Sequence, residues 1–203
     1  MLLKLNPEHP QPGRVRKIVE VLERGGVVIY PTDTTYGIGC DLYDKRAIDR
    51  VYRIKEAERD KPLTFILGSL EDLSQYAVGV SNYAYRLMRR LTPGPYTFVL
   101  KASKAVPRFM WGKRKTVGIR IPDDPIPLAI VRELGRPIVN TSVSPPLDEF
   151  LSDPVEIERR YGKLVDVVVD GGVRYSDLST VVDLTGEEPI VLRRGKGPVD
   201  LLE

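Results

Sequence analysis

The chain has 203 residues, of which 42% are apolar and 29% charged, a composition that supports a sizeable core beneath a polar surface. Its formal net charge is +3, and no apolar run approaches the ~18 residues of a membrane-spanning helix. A single cysteine and a single histidine exclude internal disulfides, cysteine-based zinc sites and a Ser-His-Asp hydrolase. The polar N-terminus does not resemble a signal peptide, and we expect a cytoplasmic protein without a membrane partner.

The small net charge hides an uneven distribution. Residues 74–122 contain ten basic residues and no acidic one, so the rest of the chain carries seven more acidic than basic residues. We therefore expect a polarised molecule with one side suited to anions. Asparagine and glutamine are scarce, with three and two copies, which is typical of thermophilic proteins when charge is abundant.

In chain order, residues 1–12 are predicted to form an extended leader. Apolar residues at helical spacing predict helices over residues 14–23, 44–55, 82–91, 127–134 and 153–161. Short apolar or alternating runs predict strands over residues 27–30, 63–67, 97–101, 116–121, 137–141, 165–169, 180–184 and 190–192. This order favours an α/β fold of the α+β type, with helices packed on a mixed sheet in one domain over residues 1–203.

The segment YPTDTTYGIGC, residues 30–40, concentrates hydroxyl groups and glycines after a predicted buried strand. Ligands of α/β sheets bind at loops that follow strands, where hydroxyls and glycine amides hold small polar groups or phosphate. A tight turn with local side-chain hydrogen bonds explains the same residues. The spacing of a phosphate-binding P-loop is absent.

Two further polar clusters follow predicted elements. Lys55 and Arg59 come after the second helix, among acidic residues that equally suit a salt-bridged surface. Ser142 and Ser144 follow an apolar strand, in a loop that either contacts a ligand or is a proline-fixed turn. Without a nearby histidine, a serine nucleophile lacks its usual base.

Aromatic residues are interleaved with the basic residues of the acid-free segment. Phosphate contacts combined with stacking are how such surfaces bind RNA. Alternatively, the aromatic residues belong to the core and the basic ones form a solvated face. Six basic residues of this segment are predicted either to bind RNA or to serve solubility alone. They are Arg86, Arg89, Arg90, Lys113, Arg114 and Lys115.

Taken in order, several segments resemble the YrdC/YciO family over residues 22–197. They are PTDTTYGIGCD (31–41), PGPYTFVLKAS (93–103), VGIRIPDDP (117–125), STVVDL (179–184) and VLRRGKG (191–197). The resemblance implies a twisted mixed sheet with flanking helices around a large positively charged cavity. Some family members carry a second, C-terminal domain, for which we expect this chain to be too short.

Members of the family include L-threonylcarbamoyladenylate synthases, which are nucleotidyltransferases. They convert L-threonine, bicarbonate and ATP to threonylcarbamoyl-AMP and pyrophosphate, and the product serves N6-threonylcarbamoyladenosine formation in tRNA. The family is also associated with double-stranded RNA. The resemblance implies ATP as a substrate, Mg²⁺ carried by ATP, no resident metal, and tRNA or double-stranded RNA as candidate partners.

The family motifs assign roles to particular residues. The motif P-T-[DE]-[ST]-x-Y-G falls on residues 31–37, and the T-S-A-N loop falls on residues 141–144. The implied substrate-binding residues are Thr32, Thr35, Tyr36, Ser142 and Ser144. The implied catalytic residues are Lys55, seven positions before a Pro-Leu pair, and Arg120 of the R-[IV]-P motif. The implied nucleotide-binding residues are Lys55, Arg59, Thr180 and Arg193.

The chain departs from the synthase pattern at two positions. Ala57 replaces the arginine of K-x-R, and Ser144 replaces the asparagine of S-x-N, as in the YciO branch. Arg59 is a candidate substitute for the missing guanidinium, at a different spacing. Since the loss of one well-placed donor costs about a hundredfold in rate, we expect weak synthase activity or none, with nucleotide binding retained. The alternatives are a non-catalytic RNA- or ribosome-binding protein that retains the cavity, and a nucleotide or acyl-adenylate carrier.

Overall fold

The computed structural model describes residues 1–56, 63–110, 115–143, 152–174 and 177–202. Eleven strands and six α-helices occur in these ranges, with three short 3₁₀ turns. In chain order they are β1 (Leu2–Lys4), α1 (Pro12–Glu23), β2 (Val28–Tyr30), β3 (Gly37–Asp41), α2 (Lys45–Ile54), β4 (Thr64–Ile66), α3 (Leu73–Tyr76), β5 (Ala77–Val78), α4 (Asn82–Leu91), β6 (Tyr96–Ala102), β7 (Thr116–Arg120), α5 (Pro125–Leu134), β8 (Ile138–Ser142), α6 (Pro154–Tyr161), β9 (Val167–Asp170), β10 (Thr180–Asp183) and β11 (Ile190–Arg193).

The described strands form one mixed sheet. Its strand order is β1-β9-β2-β3-β8-β4-β7-β6-β10-β11, and β5 pairs with β6 outside this path. The pairs β1–β9, β2–β9, β4–β7 and β6–β10 are parallel, and the remaining pairs are antiparallel. The predicted fold, a mixed α/β sheet with flanking helices, is therefore confirmed. No helix in the described ranges is long and apolar enough to cross a membrane.

Local signals place the helices. Asp44 caps α2 by accepting a hydrogen bond from the Ala47 amide at 2.9 Å, and Ser81 caps α4 in the same way through the Ala84 amide at 3.1 Å. Helix α5 ends at Gly135, which adopts a left-handed backbone conformation with φ of 70°. These caps explain why the boundaries of the predicted helices lie close to the observed ones.

The two faces of the sheet pack differently. On one face, α2, α4 and α6 cover the larger part of the core. On the other, α1 and α5 pack over Ile66 of β4 and Ile138 of β8. Side chains two positions apart on a strand point to the same face, so Thr64 and Asn140 share the face that α1 and α5 cover. The helices cover only part of this face, and the uncovered part is polar.

Three expectations need correction. Residues 2–4 of the expected leader form the edge strand β1, and α1 begins at Pro12 rather than at residue 14. Residues 37–41, expected in a ligand-binding loop, form β3 between β2 and β8. Ser142 ends β8 instead of following it. A three-residue strand shows no usable periodicity, and a strand rich in glycine lacks β propensity.

Candidate active site

A cavity of about 250 Å³ lies over the uncovered part of this sheet face. Its floor comes from β4, β6, β7, β8 and β10, and its walls come from the segments around residues 32–36 and 178–179. The lining residues are Thr32, Thr34, Thr35, Tyr36, Gly37, Leu63, Thr64, Thr97, Val99, Thr116, Gly118, Arg120, Asn140, Thr141, Ser142, Leu178, Ser179, Val181 and Arg193. Among these described lining residues, Arg120 and Arg193 are the only charged ones. Hydroxyl groups make up most of the polar remainder.

Residues 32–35 form a compact turn at one wall. The Thr32 hydroxyl donates to the Thr35 carbonyl at 2.6 Å and accepts from the Thr34 amide at 3.2 Å. The Thr32 and Thr34 hydroxyls are 3.0 Å apart. Local side-chain hydrogen bonds thus give the turn a defined shape, as the interpretation of this segment as a tight turn predicts. The turn also lines the cavity, as the ligand-binding interpretation predicts.

Arg120 joins this turn to the sheet. It ends β7, and its Nη2 donates to Asp33 Oδ1 at 2.5 Å and to Thr34 Oγ1 at 2.7 Å. The Arg120 side chain is 7% exposed and the Asp33 side chain 8% exposed, so both charges are almost completely removed from water. In the described part of the chain, Arg120 Nε and Asp33 Oδ2 have no hydrogen-bond partner. The pair therefore retains unused bonding capacity beside the cavity.

The opposite wall is built on Ser179. Arg193 donates through Nε to the Ser179 carbonyl at 3.0 Å and through Nη2 to the Ser179 hydroxyl at 3.1 Å. The Ser179 hydroxyl lies 2.8 Å from the Thr97 hydroxyl on β6. Arg193 therefore has a defined position at the cavity wall, although it lies on the edge strand β11.

The two guanidinium groups act on each other electrostatically. Arg193 is exposed overall, but the partial burial of its guanidinium group lowers its pKa, and the positive charge of Arg120 lowers it further. Because both groups line one cavity and none of its described lining residues is a carboxylate, a bound anion reduces their mutual repulsion. Phosphate and carboxylate groups also accept the charge-assisted hydrogen bonds that guanidinium groups donate.

The C-terminal segment, residues 193–202, connects the two walls. Lys196 donates through Nζ to the Asp33 carbonyl. Thr180 is fully buried, and its hydroxyl donates to the Gly197 carbonyl at 2.6 Å and accepts from the Gly195 amide at 3.0 Å. A Cβ on Gly195 would lie 2.1 Å from the Leu178 carbonyl oxygen, so the segment can pass this close only with glycine there.

The Tyr36 hydroxyl both donates and accepts a hydrogen bond. The ring is completely buried, the hydroxyl donates to the Gly172 carbonyl at 2.8 Å, and it accepts from the Gly171 amide at 3.3 Å. Burial raises the pKa of the phenol, so it stays protonated over the ordinary pH range. Tyr36 thereby fixes the loop after β9 against the cavity wall.

The structure brings together six residues that the motifs assign to a site. Around the cavity are Thr32, Thr35, Tyr36, Arg120, Ser142 and Arg193. Thr180 is instead part of the backbone contact described above, and its neighbour Ser179 lines the cavity. Lys55 is the half-buried C-cap residue of α2 and does not line the cavity. Arg59 and Ser144, as well as the substitution at Ala57, lie outside the described residues.

The residues assigned to RNA have different surroundings. Arg86 and Arg89 are exposed on α4 beside the exposed Tyr85. Arg90 donates to the Leu201 carbonyl and so contacts the C-terminal segment. Lys115 is exposed just before β7. Lys113 and Arg114 lie outside the described residues.

Several lining residues received no individual role in the sequence analysis, although Thr34 and Ser179 lie in segments that it singled out. They are Thr34, Thr64, Thr97, Thr116, Gly118, Asn140 and Ser179. A usable signal existed for those on strands, because a polar side chain at alternate positions of an otherwise apolar strand marks an uncovered part of a sheet face. Gly37 and Gly39 were expected to offer amides to an anion. They lie in β3, which pairs with β2 and β8, so the ladders on both sides occupy that backbone.

In the described residues, no group of three or more histidine, cysteine, aspartate or glutamate side chains could hold a metal ion. The cavity lining is correspondingly poor in metal ligands, since its charged side chains are cationic.

Comparisons with known proteins agree with this architecture. The family model Sua5_yciO_yrdC, described as telomere recombination, matches residues 20–195. The chain belongs to the Sua5/YciO/YrdC family. It is 43% identical to the uncharacterized protein YciO of Escherichia coli over 197 residues, covering 96% of this chain and 95% of that protein. The crystal structure of E. coli YciO superposes with a TM-score of 0.95 over 100% of this chain and 99% of that chain, at 40% identity.

Synthases are also among the relatives of this family member. The threonylcarbamoyl-AMP synthase of Pyrococcus abyssi is 32% identical over 203 residues, covering 97% of this chain and 58% of that protein. The crystal structure of P. abyssi Sua5 complexed with L-threonine matches with a TM-score of 0.92 at 29% identity, over 98% of this chain and 59% of that chain. The chain thus corresponds to little more than half of that longer protein.

Removal of the Arg120 cation should destabilise the protein. Arg120→Met leaves the buried Asp33 carboxylate without its cation, and we expect a loss of about 3 kcal/mol in the free energy of unfolding. Urea denaturation followed by circular dichroism measures this change. The double variant Asp33→Asn with Arg120→Met leaves no unpaired charge, so its loss should be smaller than the sum of the single losses. Additive losses would contradict the coupling of the two charges.

Proposed function

We propose that the chain is an ATP-dependent nucleotidyltransferase that forms threonylcarbamoyl-AMP and pyrophosphate from L-threonine, bicarbonate and ATP. The observation that carries this proposal is the convergence of Arg120 and Arg193 on a cavity otherwise lined by hydroxyl, amide and apolar groups. The similarity to threonylcarbamoyl-AMP synthases and to a threonine-complexed Sua5 gives it further support.

The chemistry suits such a lining. In the proposed reaction, the threonine amine first condenses with bicarbonate, which forms the N–C bond of N-carboxythreonine and releases water. The carbamate oxygen of N-carboxythreonine then attacks the α-phosphorus of ATP, and the bond from that phosphorus to the pyrophosphate oxygen breaks. The nucleophile is already an anion, so neither a general base nor a protein nucleophile is required. Catalysis then rests on positioning of the reactants and on cationic stabilisation of the phosphate charge.

The proposed roles follow from placement and charge. Arg120 and Arg193 bind the substrate carboxylate and the phosphates, while Thr32, Thr35 and Ser142 shape the pocket for the amino acid. Mg²⁺ enters with ATP and neutralises part of the phosphate charge. On the family resemblance, Lys55 and Arg59 are assigned to the nucleotide, and Tyr36 and Ser144 to the amino acid. Thr180, which the resemblance also assigns to the nucleotide, supports the wall instead, because its buried hydroxyl is bonded to Gly195 and Gly197. The product would serve tRNA modification in the cytoplasm.

The reaction is best tested by threonine-dependent pyrophosphate release with ATP, Mg²⁺ and bicarbonate. We expect a measurable rate that is lower than that of a synthase with the complete K-x-R and S-x-N motifs, because Ala57 lacks the guanidinium donors and Ser144 has a shorter side chain than asparagine. Arg193→Ala should reduce the rate about a hundredfold. The exposed neighbour Arg194 does not line the cavity, so Arg194→Ala is the matched control. The absence of threonine-dependent release at high enzyme concentration would refute the proposal.

A second experiment tests the assignment of Lys55 to ATP. Lys55→Ala should weaken ATP binding about tenfold, since an ammonium group that contacts phosphate contributes a charge-assisted bond. Isothermal titration calorimetry measures the affinity. Lys45→Ala removes an exposed lysine at the other end of the same helix and should leave the affinity unchanged. Equal ATP affinity in the Lys55 variant and the parent protein would show that the phosphate site lies elsewhere.

We also propose RNA binding as a second candidate function, for which the exposed face of α4 is the specific observation. Tyr85, Arg86 and Arg89 are exposed there, in a segment of 49 residues without an acidic side chain. In the described part of the chain, Arg86 and Arg89 have no salt-bridge partner within 4.0 Å. These arginines are therefore available to phosphate groups.

The RNA proposal makes a prediction about salt dependence. The affinity for double-stranded RNA should fall steeply as salt rises, and Arg86→Ala with Arg89→Ala should reduce the slope of log K against log salt by roughly 2, as two lost phosphate contacts imply. Fluorescence anisotropy at several salt concentrations measures the slope. The double variant Lys45→Ala with Arg46→Ala removes two exposed cations of α2 and should not alter it. A salt-independent affinity would exclude phosphate recognition.

A further inference from the structure

Asn140 lies in the cavity floor, on the strand at one end of the set that forms this floor. It lies in β8, where it pairs with Gly39 of β3 on one side and with Thr64 of β4 on the other. Its side chain takes space that Gly37 leaves free, because a Cβ at Gly37 would lie 2.2 Å from Asn140 Oδ1. The Asn140 side chain is therefore fixed in place by the shape of the neighbouring strand.

A buried phenol also determines how the Asn140 amide is oriented. The Tyr30 hydroxyl is completely buried and lies 2.7 Å from Asn140 Oδ1, to which it donates. Burial raises the pKa of this phenol, against the opposing effect of the Arg120 charge, so the hydroxyl keeps its proton. Since a buried donor is costly to leave unpaired, Oδ1 faces Tyr30 and the Nδ2 hydrogens remain for the cavity. Asn140 Nδ2 donates no hydrogen bond to any other residue that the structure describes.

The charges of the cavity indicate what this amide would recognise. A carboxylate or phosphate of the substrate gains most from the guanidinium groups of Arg120 and Arg193, because hydrogen bonds between two charged groups are the stronger ones. A neutral N–H donor is then left for a neutral oxygen. In an amino acid bound through its carboxylate, the remaining neutral oxygen is a side-chain hydroxyl.

We propose that Asn140 is the specificity-determining residue that recognises the side-chain hydroxyl of the amino-acid substrate, and that Tyr30 is the positioning residue that holds its amide. This contact would give the L-threonine of the proposed function its preference over the aliphatic isostere L-valine. This inference rests on the proposed function, because it needs an amino acid in the cavity. It adds a basis for selectivity that the hydroxyls of the 32–35 turn do not supply, since the Thr32 hydroxyl already donates within the turn.

The test compares binding of L-threonine and L-valine by isothermal titration calorimetry in the presence of ATP and Mg²⁺. The parent protein should bind L-threonine at least about tenfold more tightly than L-valine, because valine leaves the Asn140 donor unpaired. Asn140→Asp retains the acceptor for Tyr30 and replaces the donor by an acceptor, so the preference should disappear. The carboxylate of Asn140→Asp adds a charge, so the double variant Tyr30→Phe with Asn140→Leu serves as a second, uncharged test. It should lose the preference for L-threonine in the same way.

Tyr30→Phe alone separates positioning from a structural role. Without the phenol the amide can rotate, so the preference for L-threonine should fall partway, whereas a purely structural role would lower only the melting temperature. If the parent protein binds neither amino acid, the proposed function fails and this inference with it. If the parent prefers L-threonine and both Asn140 variants retain that preference at unchanged melting temperature, the inference alone is overturned.

Discussion

A guanidinium group buried at the end of β7 organises one side of the cavity. Arg120 is 7% exposed, and a charge so far from water is tolerated only when it is paired and hydrogen-bonded. Asp33 and Thr34 meet that requirement, and both belong to the turn that forms the wall. The turn must therefore stay against the sheet, because its departure would leave a buried cation unpaired. The same cation lowers the pKa of Arg193 on the opposite wall.

The cavity exists because one face of the sheet is only partly covered. In β4, Ile66 lies beneath α1 and α5, and Thr64, two positions earlier, lines the cavity. In β8, Ile138 lies beneath the same helices, and Asn140, two positions later, lines the cavity. The core and the site therefore share strands, and the sheet that supports the apolar core also fixes the floor. The C-terminal segment then connects the walls across this floor through Lys196 and the buried hydroxyl of Thr180.

The helices and most strands could be predicted from the sequence because their signals are local. Caps such as Asp44 and apolar residues at helical spacing act within a few positions. Strand β3 was missed because two glycines replace the side chains that identify a strand, and its stability comes from β2 and β8. For the site, motif residues such as Thr32 and Arg120 were found through the family pattern. Asn140 was not, since its significance depends on Tyr30, which is 110 positions away.

The polar side chains of the cavity floor come from several strands. Thr64, Thr97, Thr116 and Asn140 belong to β4, β6, β7 and β8, and every one of these strands is paired on both sides. The backbone beneath each side chain is thus held independently of the side chain itself. In evolution, relatives with this sheet can acquire new substrates by single replacements in the floor, and replacements that do not touch each other contribute separately. The arrangement allows ligand preference to diverge while the fold is conserved.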